Sequence, residues 1–221
     1  MPYFYNKEIN ILLIHIPKTG GTSLEVYFSR KYFIPLNENS LFMFSKHAIS
    51  NDFNHKISLQ HQTYNTLFKF RNELNINFSD ENNKIKIISI VRNPYDRIIS
   101  DLFYFRLINI DSNPDKVYNV IKFFINTNTH RFDNHNIPQY LFITDETEKL
   151  IDNIIILKNE TLTNDMINIG FTDFKVNLNI NEILHKSKYD VYLNTDSIKL
   201  INSFYKKDFE LFNYEMKDPD K

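Results

Sequence analysis

The 221-residue chain has no cysteine, no tryptophan and only three glycines. Without cysteine it forms neither a disulfide nor a thiolate metal site, and nothing demands an oxidising compartment. An excess of one charge is missing too: 26 Lys and Arg stand against 27 Asp and Glu, a formal net charge of −1. That balance argues against bulk electrostatic binding, so no nucleic-acid partner is expected, although a local basic pocket stays open. No apolar run is long enough to span a bilayer. The opening residues, MPYFYNKEIN, carry no basic segment ahead of an apolar one. Neither an integral membrane segment nor a signal peptide is therefore expected, and the expected location is soluble and cytoplasmic.

What is present is ordinary for a soluble fold, with 42% hydrophobic and 24% charged residues. The length suits one globular domain, and no repeat or linker interrupts it, so residues 1–221 are expected to form a single domain. Apolar strands alternate with amphipathic stretches, which is an α/β pattern. Ile11 to Ile16 is a continuous apolar run with one His, as in a strand buried on both faces. Two more such strands are expected in KIKIISIV and DNIIILKNE. Helices are expected from Thr22 or Ser23, as N-cap, to about Lys31, after Asn93 and Pro94, over Val117 to Ile125, over Thr161 to Ile169, and as one closing helix in NTDSIKLINSFYKKDFELFNY.

Two of the three glycines sit side by side in LLIHIPKTGGTSLEVYF. A strand, a turn and a helix in immediate succession make the setting of an anion-binding loop, because a helix start leaves backbone N–H groups unpaired and carries partial positive charge. Gly20 and Gly21 let the backbone turn sharply and approach a ligand. Lys18 adds a full charge, and Thr19, Thr22 and Ser23 add hydroxyl donors. In the Walker A pattern the Lys follows the glycines, whereas here it precedes them, which disfavours an ATPase or kinase.

In this form IHIPKTGGTSL resembles the 5′-phosphosulfate loop of sulfotransferases that use 3′-phosphoadenosine 5′-phosphosulfate (PAPS), and most of all the carbohydrate branch that includes the heparan sulfate 2-O enzymes. IISIVRNPYDRIISDLF is similar to the family's 3′-phosphate motif, with Arg92 at the strand end and Ser100 farther along the next helix. Ser100 lies two turns past Asn93, roughly 10 Å along the axis, so it reaches a phosphate only if that phosphate lies alongside the helix. Arg97 and Asp101 read as a helix i,i+4 pair instead. The resemblance implies a P-loop NTPase-like three-layer fold with a central parallel sheet flanked by helices. It also implies PAPS as cofactor and sulfuryl transfer to a hydroxyl of a glycan or other carbohydrate-type acceptor.

In that chemistry Lys18 and the loop N–H groups stabilise charge on the departing phosphate. A sulfonate carries less charge than a terminal phosphate, and no metal is expected. The acceptor hydroxyl needs a general base. His61 in LQHQTYN is chosen on its order in the family's chain, with His47 next, while His15 reads as a buried, hydrogen-bonded core residue. By family position His135, Gln139 and Tyr140 fall near the acceptor cleft, and Lys186, Ser187 and Lys188 in a late loop over the nucleotide. Two other readings stay open: a nucleotide kinase or nucleoside triphosphatase of related architecture, and a non-catalytic binding module of the same fold.

Overall fold

The apolar runs become the centre of a four-stranded sheet. The computed structural model describes residues 2–42, 49, 52–175 and 189–220. Strands β1 (Tyr3–Tyr5), β2 (Asn10–Ile14), β3 (Lys86–Val91) and β4 (Ile154–Lys158) lie in that order. β2, β3 and β4 are parallel, with Leu13 opposite Ile88 and Ile88 opposite Ile155. β1 is an antiparallel edge strand, pairing Tyr3 with Leu12. At three residues it is too short to show a periodicity, and only its pairing with β2 makes it a strand.

Alternate side chains feed two apolar layers. Leu12, Ile14, Ile87 and Val91 face one side of the sheet, packed with Leu67 of α2 (Tyr64–Lys69), Phe142 of α5 (Tyr140–Ile143) and Phe212. Ile11, Leu13, Ile88 and Ile90 face the other, packed with Leu24 and Phe28 of α1 (Gly21–Tyr32) and Met166 of α6 (Leu162–Asn168). The result is a three-layer α/β fold of the P-loop type. A third cluster joins α3 (Pro94–Tyr104), α4 (Pro114–Asn126), α7 (Thr195–Phe204) and α8 (Lys206–Phe212). No helix among the described residues is long and apolar enough to cross a membrane.

Two helices differ from expectation. α1 begins at Gly21 with Gly20 as its N-cap in the left-handed region (φ 97°) and no side-chain cap bond. The tight turn takes over the capping position, which moves Thr22 and Ser23 into the first helical turn. The closing helix is interrupted at Tyr205 (φ −101°, ψ 18°), and its second half, α8, buries Asp208 completely. α3 starts as the sequence predicts: Asn93 caps it by accepting the Tyr95 N–H at 3.0 Å, and Pro94 opens the first turn.

Candidate active site

Because β2 and β3 are parallel neighbours, their carboxyl ends open on one edge of the sheet, where α/β folds bind ligands. The glycine loop leaves β2 there and Arg92 follows β3, and both border one cavity of about 580 Å³. Lys18, Gly20, Gly21, Thr22, Ser23 and Arg92 all line it.

Each glycine has its own reason. A Cβ on Gly21 would lie 2.7 Å from the His15 ring, so only glycine lets α1 start against that imidazole. At Gly20 a Cβ would lie 2.7 Å from the Asn159 amide nitrogen, which donates to the Thr19 carbonyl at 2.8 Å. Thr19 faces inward: its hydroxyl donates to the Ile16 carbonyl at 2.7 Å and the residue is fully buried, so it supports the turn and does not line the cavity. Lys18 sits in the left-handed region (φ 61°) and holds its ammonium 4.6 Å above the Tyr104 ring. Among the described residues no carboxylate pairs with it.

Arg92 is 3% exposed. One guanidinium nitrogen, Nη1, donates to the Lys18 carbonyl at 3.0 Å, which ties the two loops together, while Nη2 is buried with no hydrogen-bond partner. An orphaned, desolvated donor on a charged group costs free energy unless an acceptor arrives, and Arg92 shares the cavity lining with a second cation, Lys18. That is the chemistry a phosphate-bearing ligand requires, and the residues fit it. Ser100 is buried on α3 but does not border the cavity.

The Arg97–Asp101 pair exists only at 3.9 Å. The guanidinium's hydrogen bonds go elsewhere, from Nε to Pro17 O at 3.1 Å, from Nη1 to Ile137 O at 2.8 Å and from Nη2 to His135 O at 2.8 Å. Arg97 thus fastens the start of the glycine loop to the 135–137 turn.

Three histidines stand in a row on the cavity wall. His15 and His61 meet edge to face at 5.2 Å, as do His61 and His135 at 5.0 Å. Each Nδ1 rests on a carboxylate: His15 on Glu25, His61 on Asp133 at 2.7 Å, His135 on Asp101 at 2.6 Å. Burial pushes the His61 pKa down to about 3, against the pull of Asp133, and the neighbouring histidines lower it further. Although burial raises the Asp133 pKa, the bonds from His61 and from the Ser58 N–H and hydroxyl overcome it and hold it at about 2. At neutral pH the pair is therefore a neutral imidazole donating from Nδ1 to a carboxylate, with Nε2 left as the basic atom.

His15 is buried and hydrogen-bonded as expected, but it also borders the cavity. Of the residues assigned to the acceptor cleft, His135 lines the cavity whereas Gln139 is fully buried behind Arg92 and Tyr140 lies outside the lining. His47, Lys186, Ser187 and Lys188 lie outside the described residues. The sequence reading missed Glu25, Asp133 and Tyr104. No local pattern marks them, since Asp133 pairs with a histidine 72 residues away and Glu25 looks like any helical glutamate. Among the described residues no cluster of three or more His, Asp or Glu is arranged to hold a metal ion.

A model of the Sulfotransferase family matches residues 1–215 of the chain. Among curated proteins nothing matches it, and among solved structures nothing does.

Proposed function

The chain belongs to the sulfotransferase family, a family of sulfuryl-transferring enzymes, and from that footing we propose that it moves a sulfuryl group from PAPS to a hydroxyl of a carbohydrate-type acceptor, as in the heparan sulfate 2-O branch. The observation that carries this reading is that Lys18 and Arg92, neither of them ion-paired to a carboxylate among the described residues, border one cavity at the strand ends, with Arg92 Nη2 lacking a hydrogen-bond partner. When bound, the nucleotide supplies the activated sulfuryl group. Lys18, Gly20, Gly21, Thr22 and Ser23 hold its 5′ end through the ammonium, the first-turn N–H groups and the hydroxyls, with Thr19 bracing the loop from inside. Arg92 holds the 3′-phosphate; Ser100 is assigned to that subsite by the family resemblance alone, since it does not border the cavity. His61 takes the acceptor's hydroxyl proton at Nε2, and Asp133 fixes the tautomer that leaves this atom unprotonated. The single-domain reading of residues 1–221 goes with it.

The test is thermal stabilisation by adenosine 3′,5′-bisphosphate and by adenosine 5′-monophosphate, followed by transfer of labelled sulfate from PAPS to a panel of glycans. A larger shift with the bisphosphate, and transfer that Lys18→Ala slows by about 10²- to 10³-fold, are expected. Equal shifts with both nucleotides would remove Arg92 and Ser100 from their roles.

A further inference from the structure

Gln139 belongs to no helix or strand that lines the cavity, yet its side chain is fully buried against the backbone of Arg92. Its Oε1 accepts the Arg92 N–H at 2.9 Å and its Nε2 donates to the Arg92 carbonyl at 2.8 Å. This is the paired bond that a neighbouring strand would make, supplied by a side chain one residue past the end of β3.

The amide has only one workable orientation. Asp208 of α8, itself fully buried, accepts the Gln139 backbone N–H at 2.8 Å through Oδ2, and Nε2 points at the same oxygen at 3.4 Å. Its Oδ1 accepts the Tyr140 N–H at 2.8 Å. Turning the amide over would set Oε1 against both the Arg92 carbonyl and the carboxylate, and Nε2 against the Arg92 N–H, losing the side-chain bonds at once. The next peptide is held from the opposite side, where the Asn93 N–H donates to Glu160 Oε1 at 2.8 Å. The junction between β3 and α3 is thereby pinned by side chains on both residues.

We propose that Gln139, locked by Asp208, is a positioning residue that presets Arg92 for the 3′-phosphate. The proposal rests on the reading of Arg92 given above. The guanidinium is tied at Nη1 to the Lys18 carbonyl, so the orientation of the unpartnered Nη2 is limited while the Arg92 backbone stays fixed. Freeing that backbone turns a preorganised donor into one that must be ordered on binding.

The test compares dissociation constants for adenosine 3′,5′-bisphosphate and adenosine 5′-monophosphate by calorimetry, so it does not depend on turnover. Gln139→Met removes both bonds at similar size. It is expected to shrink the preference for the bisphosphate by about tenfold, the scale of one good hydrogen bond to a charged group, with monophosphate affinity unchanged. Asp208→Asn should move the ratio the same way by less. Ile121→Ala, a core truncation in the third cluster, should lower the melting temperature and leave the ratio alone. A folded Gln139→Met protein with the wild-type ratio overturns the proposal. If that variant does not fold, Gln139→Asn and Asp208→Asn carry the test, and an unchanged ratio in both overturns it. A wild-type protein that binds the two nucleotides equally overturns the Arg92 reading, and this inference with it.

Discussion

The two walls of the cavity treat charge in opposite ways. On the proposed donor wall no cation is ion-paired to a carboxylate among the described residues: Lys18 rests on an aromatic ring and Arg92 on a backbone carbonyl, with Nη2 buried and unpartnered. On the proposed acceptor wall every histidine already has its carboxylate. The lesson is that an unmet charge marks where a ligand must bring the counter-charge, while a met one marks a side chain held in a chosen orientation and protonation state. In the proposed reading the first wall binds and the second directs a proton.

The sharpest way to break this comparison is to remove the proposed base. His61→Ala is expected to lower kcat by about 10²- to 10⁴-fold, the usual contribution of a positioned general base, while nucleotide affinity stays at the wild-type value. Single-turnover kinetics alongside calorimetry checks both halves. A larger loss in His15→Ala or His135→Ala than in His61→Ala would move the base to that neighbour, since all three imidazoles border the cavity.

Next in size is the donor wall. Lys18→Ala should cost about 10²- to 10³-fold in kcat, by analogy with deleting one preorganised group that meets developing charge, and should weaken nucleotide binding as well. The two variants are thus expected to separate: an effect on kcat alone at residue 61, on kcat and affinity together at residue 18. Titration of nucleotide against each variant reads the difference, and identical profiles would dissolve the distinction between the walls.

The same contrast explains what the sequence disclosed. The proposed donor wall lies in two short stretches, residues 17–23 and the β3–α3 junction at Arg92, where strand, turn and helix follow one another without interruption, so local chemistry and local structure coincide. The three parallel strands were equally plain as apolar runs: burial on both faces accounts for β2 and β3, whereas β4 ends the sheet with Ile154, Ile155 and Ile156 only partly buried. The acceptor wall is assembled across the fold. Asp101 and His135 are 34 residues apart, Asp133 and His61 72, and only the packing of α3 and the 58–61 turn around the cavity brings them together. Arg97 shows how a local rule misleads: the i,i+4 spacing to Asp101 is real, but three loop carbonyls claim the guanidinium, and that competition is invisible in a linear pattern. The break at Tyr205 is hidden for a related reason. The amphipathic pattern runs on through it, while Asp208, which reads as one more polar helical position, is drawn inward to receive the Gln139 and Tyr140 N–H groups.

The smallest expected effect concerns how stability depends on pH, and here the walls should pull in opposite directions. His61 titrates at about 3 in the fold against 6.5 ordinarily, because burial favours its neutral form. Between those values the unfolded chain holds the extra proton, so this group's contribution is complete above about pH 6.5 and declines as the solution is acidified. Asp208, behind Arg92, is shifted the other way, with burial raising it from 3.8 to about 6 despite the N–H groups it accepts. Between those values the folded chain holds the extra proton, so its contribution is greatest below about pH 4 and declines as pH rises to 6. Each tilts stability by at most about 1.4 kcal/mol per pH unit within its own window. Urea unfolding from pH 4 to 7 should therefore show that His61→Gln removes an upward slope with rising pH and Asp208→Asn removes a downward one. Slopes of the same sign would mean that the two buried groups are not held in opposite protonation states.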